Sequence, residues 1–312
     1  METVNKQVIT AKPDRSTERR KSHFKPPVKR LMLPSIIFVA LVTQIPFLIT
    51  LYFSLHQWNL MRPDLGRAFA GFANYKQLLT SASTWSVIQN TFVLTVGALL
   101  LCLMMGMAFA LLLNRNFFAK GLVRTMLITP FFIMPTVTGV IWKNMILDPN
   151  FGFLAYLSQQ LGAGPVEWLT HHPLLTIMMM IAWQWTPFFL LVLLAGLQSV
   201  PEDAIEASML DGAGKAGQFI HVTLPHLLRY IEVASLLGII FIMQEFGLIY
   251  VTTSGGPGYA STNLTFQVYR TGFQGWDIGG ASAVGVIIVV LSVLMMTLLF
   301  KFLRRTFQGE LS

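Results

Sequence analysis

The chain has 312 residues, of which 54% are hydrophobic and 12% charged, with a mean hydropathy of +0.61 and a formal net charge of +8. Such a composition excludes a pair of soluble domains and predicts an integral membrane protein. The one cysteine, Cys102, lies inside an apolar run, so a disulfide framework is excluded as well.

The N-terminal segment carries much of the positive charge. Residues 1–30 hold nine of the 22 Lys and Arg residues and show no apolar periodicity, which predicts a disordered basic tail. The apolar run that follows is too long for a secretory signal peptide, and no small-residue cleavage site closes it. The charge therefore indicates orientation in a membrane rather than binding to nucleic acid.

Six apolar runs are each long enough to cross a bilayer, which takes about 20 residues. None alternates with the period of a barrel strand, so helices are the consistent choice. The runs lie near 31–55, 87–113, 122–147, 174–199, 227–253 and 280–303. The prediction is an all-α integral membrane protein with six transmembrane helices in one domain, 31–305, followed by a short cytosolic tail, 306–312.

The distribution of Lys and Arg predicts the orientation. With the N-terminus inside, the inner segments hold 17 of these residues and the outer segments four, while Lys143 sits near the outer end of the third span. Both termini are then cytosolic, and so is the connection at 201–225. The outer loops 56–86 and 148–173 contain tryptophans that fit either interfacial anchoring or contact with a partner: Trp58, Trp85 and Trp168.

Adjacent histidines at 171–172 diverge in direction on a helix, so a shared metal is not favoured and no metal site is predicted.

The connection at 201–225 is long and acidic, although cytosolic connections are usually short and basic. Its charged residues are Glu202, Asp203, Glu206, Asp211 and Lys215. Two short helical pieces fit, 202–210 and 218–222, hinged by glycines that supply backbone freedom. The glycines are Gly212, Gly214 and Gly217, and Pro225 is predicted to open the next helix. The arrangement is typical of a docking surface for a soluble protein.

The chain lacks the chemistry of an ATPase. Gly214 and Lys215 superficially suggest a phosphate-binding loop, but Ala216 stands where Ser or Thr is required. No paired carboxylates, zinc spacing or nucleophile elbow is present. The chain is therefore predicted not to be an enzyme, and any ATP hydrolysis would belong to another chain.

The run Glu206-Ala207-Ser208, with Gly212 six residues after the Glu and Leu224-Pro225 further on, resembles the EAA loop of binding-protein-dependent ABC importer permeases. Ser208 replaces the family's second alanine. The resemblance covers roughly residues 30–305 and implies that the loop forms coupling helices seated in a cleft of a cytosolic ATPase. The coupling residues it implies are Glu206, Ala207, Ser208, Asp211, Gly212, Ile220, Leu224 and Pro225.

A narrower resemblance points to carbohydrate importers. The runs PFFIMPTV (130–137), IWKN (141–144), WQWTP (183–187), TLPHL (223–227) and GGPGYASTNL (255–264) are similar to those of sorbitol/mannitol transporter permeases. The resemblance implies one permease of a pair in the bacterial cytoplasmic membrane, two ATPase subunits that hold ATP and Mg²⁺, and a periplasmic or lipid-anchored binding protein. No cofactor in this chain and no nucleic acid are implied.

Polar residues inside the fifth span are candidates for substrate contact, because such groups are costly in lipid. Glu232 lies three residues after Arg229, which predicts an intrahelical pair. Glu245 has no basic neighbour on its helix and lies beside Gln244, another candidate. Its carboxylate would either accept hydrogen bonds from sugar hydroxyls or pair with a basic residue of the second permease.

Further candidates come from the alignment with the maltose-type permease. Gly238, Ile242 and Glu245 are predicted to share one helix face toward the sugar. In the fourth span, Gln184 and Trp185 would offer an amide and an aromatic face, although helix packing also explains them. Thr136, after Pro135 in the third span, is a further candidate.

Two other classes compete with the ABC importer. A proton-coupled secondary transporter would use Glu245 as its proton site, but it predicts an internal repeat that is not evident. A non-transporting scaffold would recruit a cytosolic partner without needing Gln184 or Glu245 inside the spans. Glu206 would form a salt bridge to the ATPase cleft or, alternatively, merely cap its own helix.

Overall fold

The computed structural model describes residues 28–308, so the predicted tail at 1–30 lies almost entirely outside the described residues, as do residues 309–312. The α-helices are α1 Val28–Ser54, α2 Ala73–Thr80, α3 Ala82–Leu113, α4 Lys120–Ile128, α5 Pro135–Ile141, α6 Phe153–Gln160, α7 Trp168–His171, α8 Pro173–Gln198, α9 Glu202–Leu210, α10 Lys215–Gln218, α11 Leu224–Met243, α12 Gly247–Thr252, α13 Leu264–Tyr269 and α14 Ile278–Gln308. A two-stranded antiparallel ribbon pairs β1 His56–Gln57 with β2 Ala68–Phe69.

Short segments of other helix types adjoin these elements. The 3-10 turns are Pro63–Leu65 and Thr129–Phe132, and the π-helical turns are Trp142–Ile146, Phe219–Thr223 and Arg270–Gln274. The chain divides into two compact units, residues 1–48 and residues 49–312, and every packing feature below belongs to the second.

Five helical runs in the described part are long and apolar enough to cross a membrane. They are Met32–Ser54, Ala82–Leu113, Pro173–Gln198, Lys215–Thr252 and Ile278–Lys301. The predicted all-α membrane class is therefore confirmed, with the small ribbon as an addition. Helix α14 continues to Gln308, beyond the predicted domain limit at 305.

The third predicted span is not one continuous helix. Residues Lys120–Phe132 and Pro135–Ile146 are two apolar pieces that meet at an angle of 106°, so they form either a broken span or a re-entrant loop. Pro135 has no N–H to donate and disfavours helical backbone at the residue before it. Met134 is accordingly extended, with φ −62° and ψ 141°. The predicted continuous helix at 122–147 was wrong at this point.

The fifth predicted span is longer than expected and is interrupted near its end. Its helical run begins at Lys215, passes through the π turn Phe219–Thr223 and ends at Met243. Residues 244–246 are non-helical, and α12 follows at Gly247. Pro225 lies in the first turn of α11, as predicted, but α11 continues directly from the π turn instead of starting a separate helix. The π turn directly precedes the first turn of α11, where Pro225 has no backbone N–H to donate.

Close helix packing positions the site. A Cβ added to Gly106 of α3 would lie 2.7 Å from Phe189 Cβ and 3.1 Å from the Leu190 backbone nitrogen, both in α8. At Gly238 of α11 it would lie 2.5 Å from the Phe189 ring and 3.0 Å from Leu99. Small residues allow this approach, as is usual where helices pack in lipid. The core thus lies between α3, α8 and α11.

Candidate functional site

A cavity of about 300 Å³ lies where the third span is broken. The chain bends between Phe132 and Pro135, and this bend faces the middle of α8. Its lining comes from two places only, the break and one turn of α8: Phe131, Phe132, Ile133, Met134, Pro135, Gln184 and Trp185. We call this space the break cavity.

Gln184 gives the break cavity an unused hydrogen-bond acceptor. Its side chain is only 3% exposed, and Nε2 donates to the carbonyl oxygen of Ile133 at 2.8 Å. Oε1 is buried and has no partner within the described residues 28–308. Buried polar atoms in native proteins nearly always have a partner, and the residue that carries this unpaired acceptor lines the cavity.

Trp185 adds an aromatic wall and an unused donor. Its ring stacks on Phe241 of α11 at 4.8 Å with an interplanar angle of 14°, and it meets Phe131 edge-on at 5.6 Å. The indole Nε1 is buried without a partner. One free acceptor and one free donor among aromatic rings is the pattern of a site for a small ligand that carries both hydroxyl groups and apolar C–H faces.

Four of the predicted contact residues lie away from this cavity. Ile242 is 1% exposed in the hydrophobic core, and Gly238 is buried against Phe189, so neither lines the break cavity. Thr136 is exposed at the start of α5, with its methyl group near Gly247. Gln244 is exposed beyond the end of α11. Their role in binding stays a prediction.

Glu245 has a structural partner that the sequence reasoning did not consider. Because α11 ends at Met243, Glu245 does not continue the helical face of Gly238 and Ile242, and the predicted shared face was wrong. Its Oε1 accepts a hydrogen bond from the Leu248 N–H at 3.0 Å, at the start of α12. Its backbone carbonyl accepts from Asn263 Nδ2 at 2.6 Å. The carboxylate therefore caps the start of α12, just after the end of α11.

The break cavity also contains features that the sequence reasoning missed. The Ile133 carbonyl is available to Gln184 because Ile133 is extended, with φ −84° and ψ 133°. Pro135 was the available signal, since it restricts the backbone of Met134, the residue that follows Ile133. Phe241 had no comparable signal, because its contact with Trp185 depends on how two distant helices pack.

A second candidate site is the polar loop after α8. Helix α9, Glu202–Leu210, has the predicted bounds, and its first turn carries Glu202 and Asp203, which favour a helix N-terminus. Glu206 is exposed on this helix. Beside it, Met209 is 56% and Leu210 90% exposed. An acidic residue next to uncovered apolar side chains at the end of a short helix suits contact with another protein.

The second half of this loop differs from the prediction. The predicted short helix at 218–222 is part of the run that starts at Lys215. Gly212 makes the turn with φ +79°, a conformation that favours glycine, whereas Gly217 lies inside α10 and is no hinge. Ile220 is 54% exposed in the π turn.

Polar contacts join the two ends of the loop. Ser199 Oγ lies 2.9 Å from His226 Nε2 and 2.7 Å from the Tyr230 hydroxyl. Arg229 Nη2 lies 3.0 Å from the same His226 nitrogen, and its guanidinium stands 5.1 Å from the Tyr230 ring centroid. The predicted Arg229–Glu232 pair is therefore replaced by contacts to His226 and Tyr230. These contacts connect the residue after α8 to the first turns of α11, and α9 lies between these two segments in the sequence.

Comparison with known proteins gives relatives along most of the chain. A "Probable ABC transporter permease protein" of Sinorhizobium fredii is 39% identical over 83% of this chain and 84% of its own length. The trehalose/maltose transport system permease protein of Thermococcus litoralis is 32% identical over 84% of this chain and 89% of its own. The sn-glycerol-3-phosphate transport system permease protein of Rhizobium meliloti is 28% identical over 89% of this chain and 98% of its own.

A solved structure shares the fold. A chain of a bacterial alginate ABC transporter, crystallised in complex with an alginate pentasaccharide-bound periplasmic protein, superposes with a TM-score of 0.73 over 90% of this chain and 94% of its own, at 22% identity. The family described as "Binding-protein-dependent transport system inner membrane component" matches residues 102–308. The family match covers more than half of the chain, and the relatives align along most of it. The chain therefore belongs to this family of membrane permease subunits of ABC transporters.

Proposed function

We propose that this permease imports a small neutral carbohydrate, a sugar alcohol of the sorbitol/mannitol type or a sugar, through the break cavity. The observation that carries the proposal is a pair of neighbouring residues that line that cavity, Gln184 and Trp185, whose Oε1 and Nε1 atoms have no hydrogen-bond partner among the described residues. A polyhydroxyl ligand can donate to the first and accept from the second, while its C–H faces lie on the aromatic rings.

The charge of the break cavity supports a neutral cargo. None of its lining residues is charged. An anionic substrate needs a cation or several aligned N–H donors to replace its hydration, and burial without them is costly. Relatives include permeases for trehalose/maltose and for sn-glycerol-3-phosphate. The uncharged lining favours the first kind of substrate, a sugar or polyol, over a phosphate ester.

ATP binding and hydrolysis would occur on two separate ATPase subunits, which hold the nucleotide and Mg²⁺. The exposed face of α9, with Glu206, Met209 and Leu210, would contact them. Glu206 would form a salt bridge to a basic residue of the ATPase cleft, and closure of the ATPases would switch the permease between inward- and outward-facing states. The remaining predicted loop residues would shape this contact: Ala207, Ser208, Asp211, Gly212, Ile220, Leu224 and Pro225.

The complete importer would also need a second permease and a periplasmic or lipid-anchored binding protein. The second permease would supply further contacts to the cargo. We place the assembly in the bacterial cytoplasmic membrane with both termini in the cytosol, as the excess of Lys and Arg on the inner segments indicates.

A proton-coupled mechanism has less support. It needs a carboxyl group at Glu245 that gains and loses a proton during transport, whereas Oε1 of Glu245 already accepts the Leu248 N–H. Protonation would weaken that cap on every cycle. The helix cap is a sufficient reason for a carboxylate at this position.

Uptake into proteoliposomes that contain both permeases and the ATPases, with the binding protein outside, tests the proposal. We expect labelled sorbitol, mannitol, maltose or trehalose to enter only when ATP is enclosed, and a protonophore to leave the rate unchanged. Uptake driven by a proton gradient without ATP would overturn the ABC mechanism. Preferential uptake of sn-glycerol 3-phosphate would overturn the neutral cargo.

A further inference from the structure

A second cavity, of about 440 Å³, lies on the side of the molecule to which the charge distribution assigns the outer loops. It is formed by three segments that are distant in sequence: 143–149 after α5, 167–170 around α7, and 252–257 after α12. None of these segments contributes to the break cavity. We call this space the outer cleft.

The outer cleft has free hydrogen-bonding groups. Lys143 Nζ donates to the carbonyl oxygen of Val251 at 3.2 Å and has two further N–H bonds to give. Asn144, Glu167 and Thr170 line the cleft and are exposed, so their polar groups face solvent. Donors and acceptors therefore line one opening.

Trp168 gives the outer cleft an aromatic surface. It is half-buried, with its inner side packed against the hydrophobic core and its ring 6.4 Å from that of His172. Because it also lines the cleft, part of the indole is available to a ligand. Interfacial anchoring alone would not require a tryptophan to border a polar cleft.

The charges of the outer cleft disfavour an anion. Its ionisable residues are Lys143, Asp148 and Glu167, which give a formal charge of −1. Hydrogen bonds from the backbone N–H groups of Phe151 and Asn150 hold the pKa of Asp148 below its usual range, so this carboxylate stays ionised at neutral pH. A phosphate, sulfonate or uronate would meet more negative than positive charge.

From this geometry we infer that the outer cleft is a binding site for a neutral polyhydroxyl ligand, with Trp168 against its C–H face and Glu167, Asn144 and Lys143 on its hydroxyls. The inference rests on the proposed carbohydrate cargo. It adds a receiving site at the outer face, where the cargo binds before it reaches the break cavity. An aromatic ring flanked by carboxylate and amide groups provides both halves of such recognition.

Site-specific labelling tests the receiving site without depending on transport. Cys102 is buried and is the chain's one cysteine, so the native protein offers no exposed thiol. In the assembled importer without its binding protein, Thr170→Cys places a thiol in the outer cleft. Ala163→Cys places one on the same connection outside the cleft and serves as the matched control.

We expect sorbitol, mannitol, maltose or trehalose to slow the reaction of Thr170→Cys with a maleimide, and to leave Ala163→Cys unaffected. In the Thr170→Cys protein, the further substitution Trp168→Ala should raise the sugar concentration that gives half-maximal protection about tenfold. This factor corresponds to about 1.4 kcal/mol of binding free energy. Glu167→Gln should also raise it. Since the Glu167 side chain is exposed, this variant keeps the test valid should Trp168→Ala fail to fold.

Each other outcome has a defined meaning. A sugar that stimulates the ATPases in the complete importer but leaves Thr170→Cys labelling unchanged overturns the receiving site and leaves the proposed function intact. Protection by a sugar that is never transported supports the site and contradicts the proposed cargo. Equal protection by sn-glycerol 3-phosphate, or protection unaffected by both Trp168→Ala and Glu167→Gln, overturns the inference.

Discussion

At the residue scale, the break cavity depends on one amide whose two ends have different roles. Gln184 Nε2 donates to the carbonyl oxygen of Ile133, and Oε1 has no partner among the described residues. A side chain held in this way loses little further freedom when a ligand arrives, so less binding free energy is spent on ordering it. The protein thus orients an acceptor before the ligand is present.

Gln184→Leu should raise the KM for the transported sugar about fivefold, because one hydrogen bond of about 1 kcal/mol is lost. The Ile133 carbonyl also loses its partner. Uptake kinetics in proteoliposomes measure this change. Gln160→Leu, at the exposed end of α6, is the matched control and should leave the KM unchanged. An unaltered KM in Gln184→Leu would contradict the role of the break cavity.

Glu245→Ala should lower the free energy of unfolding by about 1 kcal/mol, the usual cost of removing a helix cap. Glu245→Gln keeps an oxygen that can accept the Leu248 N–H, so it should retain most of that stability and should still support ATP-driven uptake. Thermal unfolding in detergent and vesicle uptake provide the two readouts. Loss of all transport in a folded Glu245→Gln protein would favour the proton-coupled alternative instead.

At the element scale, two helical segments show how much the sequence could determine. Helix α9 was predicted with its observed bounds, because its polar composition and the apolar runs on either side isolate it. The bend of the third span was missed, because an apolar run reads as one helix unless proline restrictions are applied to it. Gln184 and Trp185 were candidates through the resemblance to the maltose-type permease, but the wall opposite them in the break cavity exists only because of that bend.

Glu206→Lys should abolish copurification of the ATPase subunits while the permease remains inserted in the membrane. The substitution reverses the charge on the exposed face of α9, where like charges would then meet the basic cleft. Affinity purification from solubilised membranes measures this. Asp64→Lys makes the same charge change at an exposed position outside the loop and should copurify normally. Undiminished association in Glu206→Lys would leave only a local capping role for Glu206.

Gly106→Ala should destabilise the protein, because the new methyl group meets both the Phe189 side chain and the Leu190 backbone of α8. We expect a loss of about 1–3 kcal/mol, which is typical of overpacking. Gly121→Ala in α4 is the matched control, since nothing lies within 4 Å of the added Cβ and alanine favours a helix. Thermal unfolding should separate the two variants; equal stability would contradict the close packing of α3 and α8.

At the scale of the whole molecule, orientation determines what each cavity can meet. The outer cleft and the loop that contains α9 are expected on opposite sides of the membrane. Cargo would then arrive at one face and ATPases would bind at the other, with the break cavity between them. The charge distribution predicted the two faces and the resemblance to importer permeases implied the ATPases, whereas neither cavity was visible in the sequence.

A membrane-impermeant maleimide checks this orientation. On intact cells freed of the outer membrane, Ala163→Cys should react and Ala216→Cys should react only after the membrane is permeabilised. Both positions are exposed, and buried Cys102 gives no background. Reaction of Ala216→Cys from outside would invert the topology and with it the assignment of both faces.

The helical run from Lys215 to Met243 has a mechanical consequence. It starts immediately after the turn at Gly212–Gly214 and carries Phe241, whose ring lies on Trp185, near its far end. These ends are about 39 Å apart at 1.5 Å per residue, so a tilt of only about 5° about the loop end displaces Phe241 by about 3 Å. That distance is comparable to the thickness of an aromatic ring. A small rotation at the loop would therefore move Phe241 and, through the ring stack, would displace Trp185, which lines the break cavity.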